Sequence, residues 1–319
     1  MARIFIDGFE HGDLKFWTGI DKVTIETGVI LDGVYCAKFP YASEMFKMLP
    51  AKSEYYVAFR VAVESRHTVA CALCNFFNGS TTLGFLRFDL AGTLTAVRST
   101  STVLLTSAMA LGLGVEYLIE VRYLPHASAG VFQVKVNGVL VIDYSGNTGT
   151  TTPINNISFG KASYWVFYLD NVVIDDAAWP GNSKIQAIKP TGAGNSTQWT
   201  PSAGANYACV DEVPPSEADY IESNVIGHLD LYAASDLVGT IGAVKCVQVQ
   251  ALAVAEGAPT PTNLQFAVRS GGTDYFSGDK LVPSGAAQLA GLWETDPATG
   301  VAWLAGAVNA MEIGVKAVA

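Results

Sequence analysis

Carboxylates crowd two short stretches of this 319-residue chain: Asp7, Glu10 and Asp13 near the start, and Asp170, Asp175 and Asp176 past the middle. Calcium takes several oxygen ligands at about 2.3–2.6 Å, so loops carrying such clusters are where a cation site would be built. A chain with 29 acidic against 19 basic residues also spreads acids over its surface for solvation. The clusters are read in that second way, and no metal ligand is assigned. Hydrolysis of a glycosidic bond needs two carboxyl groups about 5–9 Å apart. The alternating strands set Glu120 beside Arg122 and Gln248 beside Gln250 rather than two acids. No catalytic residue is assigned.

Other reactive side chains are isolated. His11, His67, His126 and His228 form no His-x-His or His-Glu-x-x-His pairing that would put two rings on one metal. Cys71-Ala-Leu-Cys74 has redox spacing, but it lies in an apolar strand-like run, where residues three apart point to opposite faces. With Cys36, Cys209 and Cys246 it reads as a set of structural thiols. Ser270-Gly271-Gly272 reads as a turn, and Gly192, Gly194 and Gly204 lack the strand-to-helix setting of a phosphate cradle. No cofactor is expected. The six tryptophans and thirteen tyrosines could stack on sugars or fill a core. Core and interface packing is the reading for most of them. Trp199, beside Thr200-Pro201-Ser202, is the one expected to be exposed.

The elements that must carry these residues are strands. In GVFQVKVNGVLVID, from Gly130 to Asp143, Asn137-Gly138 supplies the positive φ angles of a two-residue hairpin. Pairing across it predicts Val136 beside Val139, Lys135 opposite Leu140, and Val134 beside Val141. Period-two alternation also marks Tyr55–Val63, Tyr117–Tyr123, Val247–Ala253 and Leu264–Val268, each with one polar and one apolar face. Short helices are expected at Pro215–Tyr220 and Leu231–Leu237. The turn-rich joint Trp179-Pro180-Gly181-Asn182-Ser183 divides the chain into domains 1–180 and 181–319. The fold class is therefore all-β: two β-sandwich domains, the second a smaller antiparallel one.

Composition bounds the partners. Half of the residues are hydrophobic, only 15% are charged, and mean hydropathy is +0.29. Such a chain is expected to cover apolar surface by homo-oligomerisation. A net charge of −10 excludes a nucleic-acid groove, which requires clustered Lys and Arg. Val103–Val115 falls short of the roughly 20 apolar residues of a spanning helix, so no membrane insertion is expected. The opening Met1-Ala2-Arg3 runs through Ile4-Phe5-Ile6 straight into Asp7, too short for a secretory leader. Synthesis in a cytosol is expected.

Two sets of residues carry a resemblance. Phe5-Ile-Asp7-Gly8-Phe9-Glu10-His-Gly12-Asp13 through Trp17, the VNGVLVID hairpin and Tyr168-Leu-Asp170-Asn171-Val-Val-Ile174-Asp175-Asp176 resemble the concanavalin A-like, laminin-G-like jelly rolls of tailed-bacteriophage virion structural proteins. Ile188-Lys-Pro-Thr-Gly-Ala-Gly-Asn195, Gln198-Trp199, Asp211-Glu212, Arg269–Tyr275 and Trp293–Gly300 with Trp303 resemble the C-terminal half of the same proteins. The resemblance implies a first domain of jelly-roll type and a non-enzymatic minor tail, fibre-like or capsid decoration subunit located in the virion. It implies other virion proteins as partners and contact with a host-surface glycan. The alternatives from other classes are a carbohydrate-binding module and a polysaccharide-degrading enzyme.

Overall fold

The computed structural model describes residues 3–29, 31–99, 102–161, 164–256 and 261–318. Met1 and Ala2, where the reading of the leader begins, lie outside them. The chain divides into two compact units, Met1–Ile185 and Gln186–Ala319. Residues 181–185 stay with the first unit because Ile185 is tied to it: its N–H donates to Asn171 Oδ1 at 2.6 Å.

Among the described residues the first unit is a run of fifteen strands. The first five are β1 (Arg3–Asp7), β2 (Gly19–Asp21), β3 (Thr24–Glu26), β4 (Cys36–Phe39) and β5 (Glu44–Lys52). They are followed by β6 (Tyr55–Ser65), β7 (Cys71–Asn78), β8 (Thr81–Phe88), β9 (Thr93–Arg98) and β10 (Thr102–Ala110). The last are β11 (Glu116–Leu124), β12 (Gly130–Val136), β13 (Val139–Gly146), β14 (Ile154–Gly160) and β15 (Val166–Asp175). One antiparallel sheet has the order β13-β12-β11-β6-β15-β4-β3, with β1 also on β15; the other is β10-β9-β8-β7-β14-β5-β2. The two are the layers of a jelly-roll sandwich.

Alternation decides which side chains face inward. Tyr55, Val57, Phe59, Val61 and Val63 of β6 are all buried, as are Ile119, Val121 and Tyr123 of β11. Rings from both sheets meet edge to face, Phe59 with Phe159 at 5.1 Å, or tilted, Phe76 with Tyr123 at 4.9 Å. Each such aromatic contributes about 1.5–3 kcal/mol by leaving water. The Tyr123 hydroxyl lies 2.7 Å from Leu83 O and 3.0 Å from Thr148 O, which satisfies its buried polar end. Gly84 is required beside it, since a Cβ there would sit 2.7 Å from that hydroxyl. Cys71 and Cys74 are both buried in β7.

The hairpin departs from simple pairing. Val136 faces Val139 and Lys135 faces Leu140, but Val134 faces Ile142 instead of Val141. A bulge places Val141 in excess, which turns Ile142 into the core and leaves Val139 and Leu140 exposed. An apolar run of VLVI offers either residue as the inward partner, and the longer Ile fills the space.

The second unit holds β16 (Pro190–Thr197), β17 (Thr200–Pro201), β18 (Ile221–Glu222), β19 (Leu229–Ala234) and β20 (Val247–Ala253). It continues with β21 (Asn263–Ser270), β22 (Thr273–Phe276), β23 (Lys280–Leu281), β24 (Ala287–Trp293) and β25 (Glu312–Val318). Its main sheet is β16-β19-β25-β21-β22 with β23 on β21, accompanied by the ribbons β17-β18 and β20-β24. Val247, Val249, Phe266, Val268, Trp303, Val308, Met311 and Val315 form its core. The helices expected at 215–220 and 231–237 are absent. The first is a series of bends, and Leu231 lies in β19, paired on both sides by β16 and β25. Sheet pairing overrides the local helical preference there. The helical turns lie instead at Asn206–Cys209 and at α1 (Ala305–Ala310). Among the described residues no helix is long and apolar enough to cross a membrane.

Candidate functional site

Each acidic stretch of the sequence turns out to organise a loop. Asp7 is buried and accepts hydrogen bonds from Phe9 N and Trp17 Nε1, both at 2.7 Å. His11 lies beside it, with Nε2 3.2 Å from Asp13. Burial raises the Asp7 pKa. Burial also pulls on His11, but the hydrogen bond to Asp13 and the charges of Asp7 and Asp13 prevail and raise its pKa. The second stretch joins a different loop. Asp170, 1% exposed, accepts from Asn171 N at 2.6 Å and Asp32 N at 3.0 Å. Desolvation, with Glu10 and Asp32 nearby, pushes its carboxyl up to about 8. Asp32 in turn pairs with Lys184 at 2.9 Å. Among the described residues no three His, Cys, Asp or Glu side chains are arranged to hold a metal ion.

Functional groups are concentrated on the outer face of the sheet that contains β6. The register sets them in rows across the strands. Lys135, Glu120 and Ala58 form one row; Leu118, Arg60 and Asp170 form the next; Glu116, Ala62, Tyr168 and Lys38 form a third. Ion pairs knit the rows together: Arg60 with Glu116, Arg122 with Glu54 at 2.5 Å, and Lys38 with Glu26 and Glu64 at 3.8 Å each. The Tyr168 hydroxyl bonds Glu64.

The residues after β15 fold back over this face. Asp175 Oδ1 accepts the N–H groups of Ala177 at 2.8 Å and Ala178 at 3.0 Å, which starts the reversal. Trp179 then packs edge to face on Tyr56, and Lys135 Nζ sits 3.9 Å over its ring. Gly181 N donates to Glu120 Oε1 at 2.9 Å, and Asn182 Oδ1 accepts from Arg60 Nη2 at 2.8 Å. Beneath this strap lies a cavity of about 230 Å³ lined by Arg60, Leu118, Glu120, Asn137, Gly138 and Asn182. Asn137 is held in the left-handed region, φ 49°, with its Oδ1 accepting Leu118 N at 2.9 Å. The amide NH₂ groups of Asn137 and Asn182 therefore remain available as donors. Along β6 the cavity is followed by Ala62, which is buried and lies between Glu116 and Tyr168 in the register.

Sequence reasoning missed most of this site. Glu116-Tyr-Leu-Ile-Glu120 is a pair of acids four apart on one strand, and period-two alternation puts both on this face. The reading that set only Glu120 beside Arg122 is corrected accordingly. Trp199 is corrected as well: it is half-buried against the core of the second unit, and its Nε1 donates to His228 O at 3.1 Å. Trp179, read as part of a linker, covers the site.

No protein-family model matches the chain, and no curated protein matches its sequence. Solved structures with a similar fold include the cellulose-induced protein Cip1, at 15% identity and TM-score 0.45, covering 56% of this chain and 100% of that one. A sialidase aligns at 14% identity and TM-score 0.40, covering 55% of this chain and 18% of that one. The alginate lyase Aly36B aligns at 16% identity and TM-score 0.34, covering 47% and 83% respectively. These likenesses are of fold: an all-β chain whose neighbours are β-sandwich proteins. The expectation of a non-enzymatic chain is withdrawn, because sialidases and an alginate lyase stand among those neighbours, at 14–16% identity and partial coverage.

Proposed function

We propose that the first unit binds a carbohydrate chain on the outer face of the β6 sheet, at the cavity under residues 177–184. One observation carries this reading. Arg60, Glu120, Asn137 and Asn182 ring an opening of about 230 Å³ whose apolar wall is Leu118. A sugar ring presents hydroxyls on its rim and C–H groups on its faces, and it needs fixed donors and acceptors around an apolar contact. Titration calorimetry against a glycan panel tests it: the wild type binds, Asn182→Ala weakens binding about tenfold, and Arg60→Ala abolishes it. Silence of the folded wild type across the panel would overturn the proposal.

Cleavage of that glycan is a second reading, supported by Glu116 and Glu120 projecting from one strand face, with Glu120 at the opening and Glu116 paired with Arg60 of its wall. Release of reducing ends, lost in Glu120→Gln, tests it; binding without product rejects it.

The virion setting and self-association stay with the chain as proposals. Supporting the first are the jelly-roll resemblance of the opening, hairpin and β15 residues; detection of the chain in purified particles tests it. Supporting a second copy as partner is β10, an edge strand of the sandwich without a charged residue, with Val103, Leu105 and Met109 exposed. An unpaired strand edge can pair antiparallel with its own copy. Sedimentation of the wild type as a dimer, reverting to monomer in Leu105→Lys, supports this, and a monomeric wild type rejects it.

A further inference from the structure

We infer that the first unit carries a distal subsite at one end of the β6 sheet, formed by Tyr41, His67 and Tyr164, that stacks on an uncharged sugar ring of an extended glycan. This inference rests on the carbohydrate reading of the outer face. Antiparallel order brings the three residues together. Tyr41 follows the end of β4, His67 follows the end of β6, and Tyr164 precedes β15, which runs between them. All three stand at one end of the sheet. His67 stacks on Tyr164 at 5.2 Å, while Tyr41 meets Tyr164 at 4.7 Å and 68° and His67 at 6.3 Å and 76°. The rings thus form a corner with two orientations of face. Tyr41 is 52% exposed, so its ring is outside the core and open to a ligand.

The corner lies just past the end of β6, the strand that carries Arg60 of the cavity. From Arg60 to His67 the chain advances seven residues, at most about 23 Å at about 3.3 Å per residue. A glycan seated in the cavity and lying along β6 reaches the rings only if it is several sugars long.

Charge selects the ligand class. Arg60, Arg122 and Lys38 are each engaged by a carboxylate, and Lys135 lies over Trp179. Glu116, Glu120 and Glu64 border the line of travel. A carboxylate-bearing sugar would meet no uncommitted cation among these and three acids, and its desolvation would go uncompensated. A neutral sugar exchanges water for the aromatic faces at no such cost.

Titration calorimetry with cello-, xylo-, manno- and malto-oligosaccharides, each as disaccharide and octasaccharide, tests the inference, with alginate oligosaccharides as the charged comparison. For the wild type, the octasaccharide of the preferred series binds more tightly than the disaccharide, and alginate binds at least tenfold more weakly. The double variant Tyr41→Ala/Tyr164→Ala loses about tenfold on the octasaccharide and nothing on the disaccharide. Tyr41→Phe, which keeps the ring, retains the wild-type value. Equal loss on both lengths, no loss on either, or tighter alginate binding overturns the subsite while leaving the cavity intact. Absence of binding to every oligosaccharide overturns the carbohydrate reading and the subsite together.

Discussion

The two units bury different kinds of interior. The largest fully buried side chains, among them Trp165, Tyr55, Tyr123, Phe9, Phe39 and Phe59, all belong to the first. The second has Phe266 and Trp303 amid valines and a methionine, with the buried carboxylates Asp230 and Asp296. Asp230 is fully buried and accepts hydrogen bonds from Gln198 N at 2.5 Å, Trp199 N at 2.8 Å, Asn206 Nδ2 at 2.6 Å and Tyr232 Oη at 3.0 Å. The aromatic interior supplies a non-directional stabilisation that tolerates polar groups on the opposite face of the same strands. The smaller interior depends more on directional bonds, above all those to Asp230, with Asp296 accepting from Ser270 Oγ at 2.7 Å and Ala298 N at 3.0 Å. A polar recognition face belongs with the first kind of core, because its desolvation penalties can be offset there.

The contrast can be broken most severely at Asp230. Asp230→Ala leaves four donors without their acceptor and is expected to destabilise the second unit by at least about 4 kcal/mol. Calorimetry should show its transition lost or lowered while that of the first unit persists; loss of both together would refute the separation. In the first unit Gly84→Ala forces a methyl group against the Tyr123 hydroxyl and is expected to cost about 2–3 kcal/mol, seen as a lowered denaturation midpoint. Titration sharpens the comparison further. Asp170 has an ordinary carboxyl pKa near 3.8 when unfolded and about 8 when folded, so the folded form holds the extra proton between these values. Stability of the first unit should therefore fall as pH rises from about 4 to about 8, and Asp170→Asn should flatten that slope. A slope unchanged in Asp170→Asn would remove this residue as its source. The smallest effect is expected from Lys135→Gln, which gives up the contact over Trp179 for about 0.5–1 kcal/mol.

Strand character was the most legible feature of the sequence: alternation in Tyr55–Val63 and Leu264–Val268 marks the inward residues, although Tyr56, Ala58, Ala62 and Ala267 on the opposite faces are buried as well. The Asn137-Gly138 turn was equally legible; the bulge at Val141 was not, because VLVI satisfies two registers equally well. The site was hidden for a different reason. Glu116, Arg60 and Asn182 come from distant parts of the chain, and only sheet order makes them neighbours. Glu116 and Glu120 alone could have been paired from spacing. Tyr41, His67 and Tyr164 share no local pattern at all, since their meeting depends on three strand ends coinciding.

The segment from Ala177 to Lys184 is also the only covalent route from β15 to the second unit. Tension applied through that unit would load Ile185–Asn171 and Lys184–Asp32 first, then Asn182–Arg60 and Gly181–Glu120, before reaching any strand ladder. Those contacts in series form a mechanical fuse: pulling would peel the ribbon away and bare Glu120 and Trp179 while the sandwich beneath stays folded.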